Sequence, residues 1–272
     1  MARPPATPWP TAPGSVFFGD VTSAASLSRA AKSGRIRRLA RGVFSADLTT
    51  QPEQLIARNR WTVVARLVPD ALIADRSAAE GGMPSAGILT VVSSARQNDL
   101  VLPGLVVAPR PGSGPLDDDL RWAAGLRATS DARTLVDNLA VSRGRAGKVA
   151  RTLSRNELED WIVRTAQRRP EGWLAHLRTR ALEVCDELGR TGHRPLVEDI
   201  LGAAAGTRAV RAGAGRLLTA KAAGHEYDPA RVECFDELAR FLAAIPDDLD
   251  VPGELAAQPD DTTTSLPFFE AY

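Results

Sequence analysis

The chain is poor in long apolar stretches, in cysteine and in aromatic residues, and each shortage excludes a class of protein. None of the 272 residues belongs to a run of about eighteen apolar positions, so we expect no membrane-spanning helix and no membrane partner. The proline-rich N-terminus lacks the apolar segment of a secretory signal. The two cysteines, Cys185 and Cys234, cannot form a disulfide framework, so a cytoplasmic location is expected. Both lie on or beside apolar helix stripes, so their thiols are expected to be buried and inert.

Motifs for metal binding and catalysis are also missing. His176, His193 and His225 are far apart in the sequence, so no metal and no other cofactor is expected. The segment RGRAGK at 143–148 resembles a phosphate-binding loop, but its glycine spacing is too short and Val149 stands where serine or threonine is needed. The sequence therefore predicts a protein that is not an enzyme.

Charge is distributed unevenly along the chain, although the net charge is only +1. Residues 1–60 carry nine lysines and arginines against three acids, whereas residues 246–272 carry seven acids and no basic residue. A basic beginning and an acidic end indicate a polyanionic partner for the basic part.

The basic residues concentrate between Ser28 and Gly42, where six cations occur without an acid. The alanine-rich AASLSRAAKS predicts a helix, and the following RIRRLARGVFSA predicts a β-hairpin with strands near 35–39 and 42–46. Winged-helix proteins bind double-stranded DNA with such a helix and hairpin, and RNA or an acidic protein is the alternative partner. The candidate DNA-binding residues are Ser26, Ser28, Arg29, Lys32, Arg35, Arg37, Arg38 and Arg41.

Periodicity and capping signals predict the remaining elements. Apolar runs predict strands at 88–94 and 102–109, and the acids at 117–119 are placed at the start of a helix, where the macrodipole favours carboxylates. Ser154 and Glu157 predict a capping box. Further helices are predicted at 51–68, 131–139, 170–188, 195–204 and 229–245.

These elements predict an α+β fold with an N-terminal winged-helix-like module, a small mixed α/β domain and a C-terminal helical domain. The expected segments are a disordered tail at 1–14, a DNA-binding module at 15–50, a mixed α/β domain at 51–145, a helical domain at 146–245, and an acidic linker with the start of a missing domain at 246–272.

One stretch of the basic region is similar to a known family. SGRIRRLARGVFSA at 33–46, with its Arg41-Gly42-Val43-Phe44 sequence, resembles the winged-helix N-terminus of AbiEi-type antitoxins. ALIADRSAAEGG at 71–82 and RTLVDNLA at 133–140 are similar to two later helices of that family. Members repress the transcription of type IV toxin–antitoxin operons, so the resemblance, which covers about residues 15–145, implies DNA binding and a toxin protein as a further partner.

The second half resembles a different family. Residues 201–207 and 223–231 are similar to the helical region that precedes a Fic domain in multidomain bacterial Fic proteins, and residues 266–272 are similar to the opening of that domain. A Fic domain transfers a nucleotide, usually AMP, to a protein hydroxyl with a loop that begins histidine-proline-phenylalanine. Since no histidine here is followed by Pro-Phe, the resemblance implies that the Fic catalytic core is missing and that the chain is a fragment or a truncation.

Together these features predict a DNA-binding transcriptional regulator, either an AbiEi-like antitoxin or the N-terminal regulatory part of a Fic family protein. The alternative is a protein-interaction scaffold that binds a Fic or nucleotidyltransferase toxin partner without specific DNA binding. A transferase that uses Arg76, Ser77 and Asp117 is a third, weaker alternative. The sequence leaves the operator, the oligomeric state and the existence of a cognate toxin open.

Overall fold

The computed structural model describes residues 9–10, 12–20, 23–142, 144, 149–225 and 229–243. The chain divides into two compact units, Met1–Gly224 and His225–Tyr272. The strands are β1 (Phe17–Phe18), β2 (Arg37–Ala40), β3 (Val43–Ser45), β4 (Leu72–Ile73), β5 (Ile88–Val92), β6 (Leu100–Leu102), β7 (Leu105–Arg110), β8 (Leu120–Arg121) and β9 (Arg127–Ala128). The helices are α1 (Ala24–Lys32), α2 (Pro52–Leu67), α3 (Asp75–Ala79), α4 (Asp131–Asn138), α5 (Arg155–Ala166), α6 (Trp173–Glu187), α7 (Arg194–Ala204), α8 (Arg216–Ala222) and α9 (Pro229–Ala243). Mixed helices and strands confirm the predicted α+β class.

A small antiparallel sheet in the order β1-β3-β2 forms the N-terminal part. The helix α1 lies between β1 and β2 in the chain and buries Leu27 against Ile36 and Phe44. Neighbouring strand residues point to opposite faces, so Leu39 and Val43 join a different core, which they share with α2. The sheet therefore has apolar packing on both faces.

A second sheet has the order β6-β7-β5-β4-β9-β8, with β4 parallel to β9 and β5 parallel to β7. In β5, Leu89 and Val91 belong to the core that α2 covers, and Val92 packs with Leu72 in a separate small cluster. This alternation places α2 on one face of the sheet. The other face carries the small Val92–Leu72 cluster and polar groups such as the hydroxyl of Thr90, which donates to the carbonyl of Ala74 at 2.8 Å.

The helices α4 to α8 pack around one apolar core, in which Leu135, Ile162 and Ile200 are fully buried. The predicted capping box at the start of α5 is confirmed. The Ser154 hydroxyl accepts the Glu157 backbone N–H at 3.3 Å, and the Glu157 carboxylate accepts the Ser154 backbone N–H at 2.7 Å. The short helix α8 has no counterpart among the sequence predictions.

The prediction of one strand over 102–109 is wrong. Leu102 ends β6 and Leu105 begins β7, and the two strands pair antiparallel. Pro103-Gly104 forms the turn between them, because Gly104 has a φ of +68°, which glycine adopts readily. A proline-glycine pair inside an apolar run therefore marks a hairpin here.

The prediction that the acids at 117–119 begin a helix is also wrong. They precede β8, and the Asp119 side chain is buried. Its carboxylate accepts the backbone N–H of Ser130 at 2.9 Å and pairs with the Arg133 guanidinium at 2.7 Å. Asp119 therefore stabilises the start of α4, although it lies too far away in the sequence for local capping rules to predict this contact.

The cysteine prediction is confirmed for Cys185, which is buried, and is wrong for Cys234, which is exposed on α9. Burial raises the pKa of the Cys185 thiol. In the part of the chain that the structure describes, no helix combines the length and apolarity needed to cross a bilayer. The expected tail, apart from residues 9–10 and 12–14, and all of the expected linker at 246–272 lie outside the described residues, as do residues 143 and 145–148 of the rejected phosphate loop.

Candidate nucleic-acid interface

The helix α1 turns its polar residues to solvent because its apolar residues recur at helical spacing on the other side. Ser28 and Lys32 are four residues apart, so their side chains share one face of the helix. Ser26 and Arg29 are exposed as well, and Arg29 is three residues from both Ser26 and Lys32, so it lies beside each of them on the helix surface. All four candidate residues that the helix carries are therefore exposed to solvent.

The hairpin after α1 closes with a two-residue turn, Arg41-Gly42, since Ala40 pairs with Val43. Gly42 has a φ of +76°, the left-handed conformation that such turns require. The Gly19 backbone N–H donates to the Gly42 carbonyl at 3.0 Å and ties the turn to the end of β1. The turn therefore holds Arg41 in a fixed position at the tip of a short hairpin.

A cleft of about 680 Å³ lies between α1 and this hairpin. It is lined by Ser28 and Lys32 from α1 and by Arg38 and Arg41 from the hairpin, and we call it the basic cleft. All four side chains belong to exposed residues. Asp20 also lines the cleft, with Phe44 as a buried apolar residue of the lining.

Arg37 has a different environment from its neighbours in the hairpin. Its guanidinium donates to the backbone carbonyls of Leu48 at 2.6 Å and Thr50 at 2.8 Å, and the residue is half-buried. The 48–50 segment is itself held by Asp47, whose carboxylate accepts hydrogen bonds from Thr50, Thr49 and Gly14. These bonds, those of Thr50 first, keep the pKa of the Asp47 carboxyl far below its ordinary value. Arg37 therefore fastens the hairpin to the next loop.

The remaining candidates lie outside the basic cleft. The Arg35 guanidinium lies 5.5 Å from the ring centroid of Trp9, a cation–π distance. The Arg29 Nε donates to the Ala25 carbonyl at 3.3 Å, and the Ser26 hydroxyl donates to the carbonyl of Ser23 at 2.8 Å. Four of the eight residues predicted from the sequence are therefore brought together, and four are not.

No protein-family model, no curated protein and no solved structure matches this chain. The similarities to AbiEi-type antitoxins and to Fic proteins therefore rest on the sequence motifs quoted above.

A buried ionic cluster is the feature that sequence reasoning missed. The Asp75 carboxylate receives two hydrogen bonds of 2.8 Å from Arg110, and Arg110 also pairs with Asp137 at 2.9 Å. Asp137 pairs in addition with Arg190 at 2.6 Å, and its Oδ2 lies 3.6 Å from the Nε of Arg133. The last distance is too long for a hydrogen bond. Helices and strands that are distant in sequence thus share a set of buried charges.

Asp75 at the start of α3 has a φ of +53°, a conformation that residues other than glycine adopt rarely. Burial raises the pKa of its carboxyl, while the hydrogen bonds and charge of Arg110 act in the opposite direction. The only sequence signal was an aspartate after a buried apolar run, in the ALIADRSAAEGG motif. Such a signal does not identify the arginine that lies 35 positions later.

Arg76 and Ser77, which carried the transferase alternative, have their polar groups bonded within the fold. Arg76 donates to the Glu157 carboxylate at 2.8 and 2.9 Å, and the Ser77 hydroxyl accepts the backbone N–H of Thr90 at 2.9 Å. Across the described ranges, no group of three or more histidine, cysteine, aspartate or glutamate side chains is arranged to hold a metal ion.

Proposed function

We propose that this protein is a DNA-binding transcriptional regulator of the AbiEi antitoxin kind, or the regulatory N-terminal part of a Fic family protein, and that it binds double-stranded DNA in the basic cleft. The observation that carries the proposal is the convergence of Lys32, Arg38 and Arg41 with Ser28 on one cleft. The proposal includes no catalytic step, because the sequence has no His-Pro-Phe motif.

The topology of the N-terminal part supports this proposal. A strand, a helix and a hairpin follow one another in the chain, and the strands pair in the order β1-β3-β2. This order is similar to that of the recognition helix, sheet and wing of a winged-helix domain. In that comparison α1 stands in the place of the recognition helix, and the strand β1, formed by Phe17-Phe18, precedes it in the chain, where a helix-turn-helix would have its first helix.

The dimensions of α1 and the hairpin suggest how duplex DNA would be contacted. An α-helix with its side chains is about 10–12 Å in diameter, so the major groove of B-DNA, about 12 Å wide, can admit the nine-residue α1. Ser28 on α1 would then face base edges, where a hydroxyl can donate or accept. Arg38 and Arg41 are exposed on the short hairpin beside α1, so their side chains would reach the phosphate backbone.

A salt titration of duplex binding tests the electrostatic part of the proposal. If Lys32, Arg38 and Arg41 each neutralise one phosphate, log K should fall against log salt with a slope of about −2.7. Fluorescence anisotropy of a labelled duplex at several salt concentrations measures this slope. An affinity that does not change with salt would contradict the proposal.

Charge reversal inside and outside the cleft tests its location. The double variant Arg38→Glu/Arg41→Glu should abolish duplex binding without a change in melting temperature, because both residues are exposed. Arg29→Glu/Arg35→Glu is the matched control, since it reverses the charge of two exposed residues that do not line the cleft. Equal loss of binding in the control would show that the cleft is not the contact surface.

The second candidate function is a scaffold that binds a Fic or nucleotidyltransferase toxin without specific DNA binding. The helix α9 favours it, because Phe235 and Phe241 are 68% and 66% exposed and Leu238 and Leu242 are more than half exposed. Duplex binding by the unsubstituted protein separates the two candidates. A scaffold would bind a purified Fic or nucleotidyltransferase toxin and would lack duplex binding before any substitution.

A further inference from the structure

The helix α2 has a basic exposed surface, although sequence analysis places it outside the predicted DNA-binding module at 15–50. The helix carries three arginines, Arg58, Arg60 and Arg66, against one acid, Glu53. Among the residues that the structure describes, none of the three guanidinium groups has a carboxylate partner. A surface charge without such a partner is available to a polyanion, so the position of each arginine decides whether α2 can take part in DNA binding.

Arg66 lies in the last turn of α2 and is exposed. Its guanidinium carbon lies 6.0 Å from the ring centroid of Phe18, a distance at which a cation is attracted to the face of an aromatic ring. This contact keeps the Arg66 side chain beside β1. The N–H donors of a guanidinium lie in its plane and point outward from its edge, so a guanidinium that lies over a ring can still bind an acceptor.

Phe18 connects Arg66 to the tip of the hairpin that borders the basic cleft. Phe18 pairs with Val43, and both residues pack into the core that α2 covers, on the face of the small sheet opposite to α1. The next residue, Gly19, donates its backbone N–H to the Gly42 carbonyl at 3.0 Å, and both glycines line the basic cleft. Arg66 therefore lies at the same end of the small sheet as the hairpin tip, on the face opposite to the basic cleft.

We propose that Arg66 binds a backbone phosphate of the same duplex that occupies the basic cleft, so that the DNA-contacting surface extends over the hairpin tip onto α2. The inference rests on the proposed function and adds a fourth cation to the three of the cleft. One strand of B-DNA carries a phosphate about every 3.4 Å along the helix axis, so a strand that meets Arg41 at the tip presents further phosphates on either side of it. Lys32 and Arg38 would bind those on the cleft side, and Arg66 would bind one on the side of α2.

Arg58 provides a matched comparison on the same helix. It is exposed like Arg66 and lies two turns earlier, about 12 Å away along the helix axis. Its Nη1 lies 3.2 Å from the position that a Cβ would take at Gly14, and Gly14 precedes β1 at the end away from the hairpin tip. An effect of net charge alone would therefore be the same for both arginines, whereas a phosphate contact at the hairpin tip would involve only Arg66.

Salt titrations of duplex binding by the full chain, followed by fluorescence anisotropy, test the inference. With four phosphate contacts, log K of the native protein should fall against log salt with a slope of about −3.6, compared with about −2.7 for the basic cleft alone. Arg66→Gln should show the slope of about −2.7. It should raise Kd about eightfold at a salt concentration of about 0.1 M and about fourfold at about 0.2 M, because the contribution of one released counterion shrinks as salt rises.

The same titrations include sequence and charge controls. The increase in Kd should be equal for duplexes of different sequence, because a phosphate contact carries no sequence information. Arg58→Gln, which removes a charge away from the hairpin tip, should keep the slope of the native protein. The charge-conserving Arg66→Lys should keep it as well, because a lysine ammonium also binds phosphate.

Identical slopes for the native protein and Arg66→Gln would overturn the inference and leave the proposed function in place. An equal loss in Arg58→Gln would also overturn it, because the effect would then come from net charge. A loss in Arg66→Lys as large as in Arg66→Gln would overturn it by assigning the guanidinium a structural role on Phe18. If the native protein did not bind duplex at all, the proposed function would fail and this inference with it. Melting temperatures of the three variants should lie within about 4 °C of the native value, because the substituted arginines are exposed.

Discussion

At the scale of single residues, six cations that look equivalent in the sequence have different roles. Arg38 and Arg41 are exposed at the basic cleft, whereas Arg37 uses its guanidinium to bind two backbone carbonyls. A charge that binds the protein's own backbone is less available to a phosphate. The count of positive charges in a segment therefore overestimates the number of contacts that the segment can make with DNA.

This distinction predicts the effect of removing Arg37. Arg37→Gln leaves the carbonyls of Leu48 and Thr50 without their charged donor, and it should lower the free energy of unfolding by about 1–3 kcal/mol. Urea denaturation followed by circular dichroism measures the change. The comparison variant is Arg38→Gln. Among the described residues the Arg38 guanidinium donates only to the Ala40 carbonyl of the same hairpin, at 3.3 Å, so this variant should change stability by less than about 0.5 kcal/mol. Equal stability of the two variants would refute this account of Arg37.

At the scale of elements, α3 and α5 are joined by a charged clamp. Arg76 on α3 donates two hydrogen bonds to Glu157, which also belongs to the capping box of α5. These contacts, that of Arg76 first, lower the pKa of Glu157 from an ordinary value of 4.5 to about 2. The folded state therefore favours the ionised carboxylate more than the unfolded chain does.

A pH dependence of stability follows from this lowered pKa. The clamp contributes its full stabilisation above pH 4.5, and this contribution is lost as the pH falls from 4.5 towards 2, where Glu157 becomes protonated in the folded state. We expect Glu157→Gln to be less stable than the native chain at pH 7 and to approach it in stability near pH 2. Urea midpoints measured across this range check the trend. A stability difference that stays constant with pH would show that Glu157 acts only through its packing.

Elements with local signals were the ones that the sequence could predict. The capping box of α5 and the hairpin after α1 depend on residues a few positions apart, and both are confirmed. The apolar run at 102–109 predicts a single strand, whereas the turn residues Pro103-Gly104 divide it between β6 and β7. The sequence shows that Ser28, Lys32 and the hairpin arginines belong to one segment. It does not show that they line one cleft, because the cleft depends on how α1 packs on the sheet.

The ionic cluster could not be predicted, for a physical reason. Its partners are 35 positions apart for Asp75 and Arg110, and 53 for Asp137 and Arg190. Sequence periodicity reports which face of an element is apolar, and it assigns charged residues to the surface by default. When a charged residue is buried because its partner lies on another element, the residues next to it in the sequence show no pattern that would reveal its burial.

At the scale of the whole molecule, Asp137 forms ion pairs with residues of both the second sheet and the helical part. It lies on α4 and pairs with Arg110 from β7 and with Arg190 from the turn after α6. Asp137→Asn removes the charge that both arginines face, and it should lower the free energy of unfolding by about 3–5 kcal/mol. Asp199→Asn, which affects a more exposed ion pair with Arg155, should cost less than about 1 kcal/mol.

Chemical denaturation of the two variants measures this difference, with tryptophan fluorescence and far-ultraviolet circular dichroism as separate probes. Since Asp137 links the sheet to the helices, the two probes should report separate transitions in Asp137→Asn and a common one in Asp199→Asn. Coincident transitions with native stability in Asp137→Asn would show that the apolar core alone couples the sheet to the helices.

The same cluster restricts how this sequence can diverge. Reversing the charge of Arg110 alone would place three buried acids, Asp75, Asp137 and the new one, side by side and would remove the guanidinium that pairs with both aspartates. Few single substitutions at these positions would therefore leave the stability of the protein unchanged. Drift among relatives should preserve the cluster as a set or replace it as a set, with exchanges at 75 and 110 arising together on one lineage.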